Sequence, residues 1–513
     1  MSGSTSPQSV SFSTIPSNIR VPLFYAEVRP SQTLANQQTQ RVLIVGGTLT
    51  AMPMVPVFMP PPGGTGATGA QQAAAAMFGQ GSMLAQMVGA YRNIDPYTEL
   101  WCLPVPDPSA GTAATATIVI SGTATGNGAL SAYVGDHLVA TPVSSGQAAT
   151  AVATAVAAAI QAANLPVTAA ASAGTVTLTT RHKLTAMNTL SLLLNYLGTT
   201  GGQSTPAGLT VSVTAFTGGA GVPVLTGLAA ALGTMDFDFV ISGYNDPTSL
   251  AAQTAVMSDA SGRWSYLNQL YGGVFTADVD TDANLLTLGG TMNDQHTLVW
   301  GAYGTPTPYW KAAAAATAAC VPSIVGQPNL PLQTLAVPGI LAPPAGDLPS
   351  VSTMQSLLSA GISILNWDRT GTCRIVRAVT TYQTNAFGVA DQTYLDVGTL
   401  YTLMAVLRRL RALVSQRYGR VLLVADGTPI GAGVPAVSPR TIKGDLIADY
   451  NAMQDLGWVQ DAAAFAAGLI VAINATDTSR VDVLYDPNIV PGLAIFAVAT
   501  QFYVGANNTA LAA

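Results

Sequence analysis

Two kinds of apolar pattern alternate along the chain. Short unbroken runs ending at glycine or polar residues, such as Arg41-Val-Leu-Ile-Val-Gly46 and Glu99-Leu-Trp-Cys-Leu-Pro-Val105, read as buried strands. Asp236–Ile241, Gly273–Ala277 and Thr297–Trp300 read the same way. Between them lie helical stripes. Ser82 can N-cap a helix whose Leu84, Met87, Val88 and Tyr91 stand at i, i+3, i+4 and i+7, after a Pro/Gly-rich loop at 60–69. Further helices are expected over 247–260 and the Ala-rich 311–320. Strand 41–46, the helix after Ser82 and strand 99–105 make one βαβ unit.

The pattern changes between 111 and 217, where only Asp136, Arg181 and Lys183 are charged. Thr115–Ile120 and Leu130–Val139 read as strands around an Asn127-Gly128 turn. Val152, Val156, Ile160 and Ala163 form a narrow helical stripe, and Val176–Thr179 alternates. Beyond this insert, Ile362–Leu365 and Arg374–Thr380 suggest a hairpin around Asp368–Gly371. The last 130 residues are more helical: Leu400, Leu403, Met404, Leu407, Leu410 and Val414 share one face, and Ile442, Leu446, Tyr450 and Met453 another. Strands follow at Leu469–Ile473 and Val481–Tyr485. At the two ends, Val10, Phe12 and Thr14 alternate with serines, and Leu493–Val504 is an apolar and aromatic run. The expected class is α/β and α+β, multidomain. It comprises an N-terminal arm (1–22), an interrupted α/β domain (23–110 and 218–385) and a β-rich α+β insert (111–217). A C-terminal α+β domain (386–490) and a C-terminal arm (491–513) complete it.

Composition narrows the function. Of 513 residues only 9% are charged, against about 25% in ordinary domains, and 49% are hydrophobic, which excludes intrinsic disorder. A net charge of −6 argues against nucleic-acid binding. The charge-free stretches are Ala, Gly, Thr and Ser with turn residues, so no membrane span is expected, and the N-terminus lacks the pattern of a secretion signal. The chain has 23 Asp to 2 Glu and 16 Arg to 3 Lys. That palette suits ion pairs between ordered surfaces, and biased genome composition gives it equally well.

Candidate chemistry is sparse. His137, His182 and His296 have no metal-ligand spacing, and no Gly-x-Ser-x-Gly elbow occurs. Gly64-Thr-Gly-Ala-Thr-Gly69 matches a dinucleotide-binding pattern, but Pro60, Pro61 and Pro62 separate it from any strand, which leaves a surface loop. No catalytic residue, cofactor or metal is expected. Cys102, Cys320 and Cys373 read as buried thiols, with an intermolecular disulfide as the alternative. The arginines at 408, 409, 411, 417 and 420 are the one basic concentration. They form either a solvated helix face or a protein–protein ion-pair surface, whose partners would be aspartates such as Asp445 and Asp449 of another copy. The terminal strands either complete this chain's own sheet or add to a neighbour's.

Several stretches in order resemble the contractile phage tail sheath proteins, specifically the Mu-like group. They are Ile15-Pro-Ser-Asn-Ile-Arg-Val-Pro22, Phe78–Met87, Phe237–Tyr244 with Asn245-Asp-Pro247, Pro331–Leu335, and Thr380–Ala386 with Asp391–Asp396. Asn164–Thr168 with Val176–Arg181 is similar to the insert such sheaths carry. The resemblance implies a virion subunit, assembled in the host cytoplasm, that forms a helical homopolymer around the tail tube protein and meets baseplate and tail terminator proteins at its ends. It implies a subtilisin-like α/β domain without protease activity, a C-terminal domain nearest the tube and an outward insert. Arms would add strands to neighbouring subunits, here Val10, Phe12, Thr14 and Ile15 at one end, and Leu493, Ile495, Phe496, Val498, Phe502 and Tyr503 at the other. Arg408, Arg411, Asp445 and Asp449 are candidate contacts to the tube or between subunits. A bacteriocin or secretion-system sheath, or a self-assembling surface protein, is the alternative.

Overall fold

A computed structural model describes residues 40–344, 348–431 and 433–502. Strand β1 (Arg41–Thr48) is followed by the short β2 (Val57–Met59), helices α1 (Gly66–Phe78) and α2 (Met83–Arg92), and β3 (Glu99–Pro106). Helix α1 corrects the loop expected at 60–69. Its Ala-rich sequence carries no periodic stripe, yet Ala has the best intrinsic helix propensity, and Ala70, Ala74, Ala75 and Phe78 are buried. Ser82 caps α2 as its spacing predicts, its hydroxyl accepting from the Ala85 amide at 3.2 Å.

The insert follows. Strands β4 (Thr115–Gly122), β5 (Gly128–Val134) and β6 (His137–Val143) precede α3 (Ala149–Ala162), then β7 (Val167–Ser172), β8 (Thr175–Thr180), β9 (Leu192–Leu194) and β10 (Leu209–Val213). They form a four-stranded sheet, β10-β4-β8-β7, and a three-stranded one, β6-β5-β9. Ile118, Ile120, Val176 and Leu178 alternate inward, and α3 buries Val152, Val156 and Ile160. The strand expected over Leu130–Val139 is instead a hairpin. Val134 pairs with His137, and Gly135, at φ +62°, takes the first central turn position, where a primed two-residue turn requires positive φ. Strand β4 pairs with β8 and β10 rather than across an Asn127-Gly128 turn.

The chain re-enters the first layer through α4 (Leu228–Leu232) and β11 (Phe239–Ser242). It continues with α5 (Pro247–Met257), β12 (Gly273–Asp278), α6 (Asp282–Gly290), β13 (Thr297–Gly301) and α7 (Tyr309–Gly326), then α8 (Val351–Ser359) and the hairpin β14 (Ile362–Trp367) and β15 (Cys373–Arg377). The resulting eight-stranded sheet runs β15-β14-β13-β12-β11-β1-β3-β2. Its six inner strands are parallel, and β2 and β15 close the edges antiparallel. Layers on both faces explain why β1, β11 and β13 read as continuous apolar runs.

Helix α9 (Val397–Tyr418) then leaves the sheet layer. Its first half buries Leu400, Tyr401 and Met404 in the main core, and its second half buries Leu413 in a smaller core. That second core holds α10 (Pro439–Asp455), α11 (Ala462–Gly468) and the hairpin β18 (Ile470–Ile473) and β19 (Val481–Leu484), after a short parallel pair, β16 (Leu422–Leu423) with β17 (Ala436–Val437). Tyr450 and Phe465 stack at 3.8 Å within it.

The insert is braced against the sheet layer. Lys311 pairs with Asp136, the Ser191 hydroxyl donates to Pro306 O at 2.8 Å, and Tyr196 donates to Ala342 O. His182, fully buried, accepts from the Met83 amide through Nε2 at 3.0 Å, and its Nδ1 lies 2.8 Å from Asp107 Oδ1. A neutral ring with its proton on Nδ1 satisfies both contacts. Replacing it, in His182→Leu, leaves the buried Met83 amide unpaired and removes one of the two partners of the Asp107 carboxylate, which keeps the Lys183 amide on Oδ2. The expected loss is about 2–4 kcal/mol of unfolding free energy by denaturant titration.

Candidate functional site and inter-subunit surfaces

In doubly wound sheets, ligands bind at the switch point, beyond the carboxyl ends of the two strands from which the chain winds in opposite directions. Here those strands are β1 and β11. The space beyond them is filled. A Cβ on Gly47 would stand 2.7 Å from His182 Cε1, and one on Gly243 would stand 2.6 Å from Met83 Sδ. Tyr309 donates to Gly243 O at 3.1 Å, and Tyr244 is buried. Burial drives the Tyr244 and Tyr309 hydroxyls above the ordinary tyrosine range. His182, which could pair with Asp107 as a base, instead has Nε2 occupied by a backbone amide. Among the described residues no group of His, Cys, Asp and Glu could hold a metal. Gly66 and Gly69 of the glycine-rich match lie in the first turn of α1, after the antiparallel edge strand β2 rather than a parallel strand. Cys102, Cys320 and Cys373 are free and buried, and burial pushes the Cys373 thiol up to about 12. No exposed thiol among them could bridge two chains.

The arginines of α9 sort by helical phase. Arg408 and Arg411 face the sheet layer: Arg408 pairs with Asp238 and donates to Tyr271 O at 3.1 Å, and Arg411 donates to Gln269 O. Arg409 and Arg417 face α10, where they meet Asp449 and Asp445, and the Tyr418 hydroxyl donates to Asp445 at 2.6 Å. The expected pairing of these arginines with aspartates of another copy is therefore corrected. α10 packs beside α9 and presents Asp445 and Asp449, at i, i+4, to the same chain. Arg411 is the exposed member of the four candidates.

Asp238, which the sequence reading did not single out, is the hub of this region. It is 1% exposed, and one oxygen accepts the Arg41 amide at 2.6 Å while the other meets Arg408. Its carbonyl accepts from the Tyr401 hydroxyl at 2.8 Å. Burial raises its pKa, against the opposing pull of Arg408 and the Arg41 amide. A strand-leading Asp before an apolar run gave no signal of this role, because its partner stands 170 residues away.

Two surfaces remain without partners among the described residues. Hairpin β18–β19 is a two-stranded sheet whose outer edges no other described strand pairs, and Ile470, Val483 and Leu484 are exposed on it. The segment after it is tethered by Val490 N to Trp458 O, Asn329 Nδ2 to Val490 O and Gln333 Nε2 to Leu493 O. Leu493 carries the last of these tethers. Leu493, Ile495, Phe496, Val498 and Phe502 are 68–82% exposed, and residues 494–502 form no ladder with the other described residues, while the end of the expected strand, from Tyr503 on, lies outside them. Val10, Phe12, Thr14, Ile15 and Tyr503 lie outside the described residues.

Comparison with known proteins decides the family. Over 505 residues the chain is 31% identical to the tail sheath protein of the Mu-like prophage FluMu of Haemophilus influenzae, covering 96% of this chain and 99% of that protein. The chain belongs to the phage tail sheath family. Within this sheath protein, residues 218–381 match the family model described as the phage tail sheath protein central domain. Among solved structures, a sheath tail protein of Desulfitobacterium hafniense is 10% identical, with a TM-score of 0.46 over 91% of this chain and 100% of that one. One from Listeria innocua is 12% identical, with a TM-score of 0.45 over 88% and 92%. Residues 218–381 comprise the return to the sheet and β11 to β15, and so include Asp238.

The pair at the base of α9 is testable by a double-mutant cycle. Asp238→Ala should lower stability by about 3–5 kcal/mol, because it leaves Arg408 facing the layer without a counter-charge. Adding Arg408→Ala to it should recover the part of that loss due to the unpaired guanidinium but not the part due to the Arg41 amide, which loses its acceptor in both variants; urea titrations of Asp238→Ala, Arg408→Ala and the double variant separate the two.

Proposed function

We propose that this chain is the structural subunit of a contractile tail sheath, polymerising helically around a tail tube and contracting to drive the tube through the host envelope. The observation that carries this reading is the near full-length identity to a Mu-like prophage tail sheath protein. In this reading, residues 1–22 and 491–513 are arms that add strands to neighbouring subunits. The open edges of β18–β19 and the exposed apolar tail support it: a lone two-stranded hairpin is marginal in water, and an unpaired edge is a template for another chain's strand. Val10, Phe12, Thr14 and Ile15 would form the N-terminal strand, and the run from Leu493 to Tyr503 the C-terminal one.

The finer assignments follow from the same reading. Residues 386–490 form the tube-proximal domain, 111–217 project outward, and the α/β domain of 23–110 and 218–385 has a subtilisin-like arrangement without catalysis. The filled switch point favours a non-enzymatic role. Exposed Arg411 is the remaining candidate for a tube contact, since Arg408, Asp445 and Asp449 have partners within the chain. Baseplate and terminator proteins would cap the polymer, which assembles in the host cytoplasm. Contraction then slides rigid subunits between two lateral packings while the arm strands persist, because packed cores are bistable rather than continuously deformable.

Deleting residues 1–15 should abolish ordered tubes in negative-stain electron microscopy, while circular dichroism and thermal unfolding stay at full-length values. Tubes formed by the truncated chain would exclude arm exchange.

A further inference from the structure

A buried histidine beneath the loop that contacts α9 lies between two carboxylates, one buried and one at the surface. His296, just before β13, is 3% exposed. Its Nε2 is 3.3 Å from Asp259 Oδ1, on the loop after α5, and its Nδ1 is 3.3 Å from Asp294 Oδ1. Both carboxylates are held by other donors. Gln295 donates to Asp259 Oδ2 at 2.6 Å, and Thr297 donates to Asp294 Oδ2 at 2.5 Å. The Trp264 ring lies 4.8 Å from the imidazole, and Trp264 Nε1 donates to Gly272 O at 2.8 Å. The Tyr394 hydroxyl, from the segment before α9, feels the charge of Asp259. Arg263, on the same loop, turns away to Gly233 O and Met235 O.

A neutral imidazole has one N–H. Either tautomer would therefore turn a lone pair toward one of the two carboxylates, and only the cation is attracted to both; at Nδ1 that attraction is one of charge, because the 3.3 Å contact to Asp294 is not aligned as a hydrogen bond. The loop so held, residues 258–272, supplies the Gln269 and Tyr271 carbonyls that accept from Arg411 and Arg408 of α9. It also displays Tyr266 and Leu267, 79% and 74% exposed.

We infer that His296 is a pH-sensitive clamp: as an imidazolium between Asp259 and Asp294 it fixes loop 258–272 to the sheet, and its deprotonation loosens that loop and the seat of α9. The direction follows from linkage. Burial opposes the charged ring, but the attraction of the Asp259 and Asp294 carboxylates outweighs it, so the imidazole titrates above its ordinary range. The clamp is then complete below the free-histidine value of about 6.5 and is lost as pH rises through the higher folded value. Asp259 is held below its ordinary value, chiefly by its bond to His296, so the acid limit lies where that lowered value is crossed.

The test is hydrogen–deuterium exchange of the full-length chain from roughly pH 5 to 9, corrected for intrinsic exchange chemistry. Peptides from 258–272 should lose protection as pH rises, about tenfold for each unit by which folding raises the imidazole pKa, while peptides of β1 and α2 stay flat. In Asp259→Asn, a substitution at a carboxylate 57% exposed that leaves the core intact, the same transition should move to lower pH. In His296→Gln it should vanish. Protection of 258–272 that does not change with pH, or that titrates identically in Asp259→Asn, would overturn the clamp.

Discussion

One carboxylate joins the parts of this molecule. Asp238 sits at the amino end of β11, where Arg41 begins the neighbouring strand and Arg408 arrives from α9. A buried ion pair of this kind adds little net stability over an apolar contact, because desolvation offsets most of the attraction. What it supplies is position. The apolar packing of Leu400, Tyr401 and Met404 holds α9 to the sheet layer, and Arg408 adds a directional constraint, because it must reach one oxygen of Asp238. The small core built on the second half of α9 is thereby held in register with the sheet. So is the point where the chain preceding Arg41 enters.

The same economy of charge recurs at the other end of the sheet. His182 with Asp107 and Lys311 with Asp136 tie the insert to the carboxyl ends of the strands, across 75 and 175 residues of sequence. Few residues are charged, and several of them, Asp238 with Arg408 among them, join elements that are distant along the chain. In filling the switch point, these joints turn a ligand-binding architecture into a rigid block. The surfaces proposed above for assembly, the edges of β18–β19 and the tail beyond Leu493, lie outside those joints.

Much of this was legible in the residues. β1, β3 and β11 to β13 are continuous apolar runs, and the stripe of α2 follows a capping serine. The errors have physical causes too. Leu130–Val139 reads as one strand because apolar residues flank both sides of a turn that consists of Gly135 and Asp136 alone. α1 was missed because alanines bury without leaving a stripe. The charge candidates were half-read: periodicity places Arg408 and Arg411 on one face and Asp445 and Asp449 on another, but it does not say which chain answers them.

The sequence by itself therefore determined most of the parallel strands and the striped helices, the interruption of the α/β pattern by a charge-poor insert, and the resemblance to sheath proteins, which the 31% identity over nearly the full length upholds. These are properties of spacing at two, three or four residues and of ordered motifs, so a linear reading contains them. Only the tertiary structure decided that the switch point is plugged, that most of the α9 arginines are answered within the chain, and that His296 lies between two aspartates. Those facts depend on which residues the chain path brings together from far apart. Long-range packing, rather than local preference, sets that path.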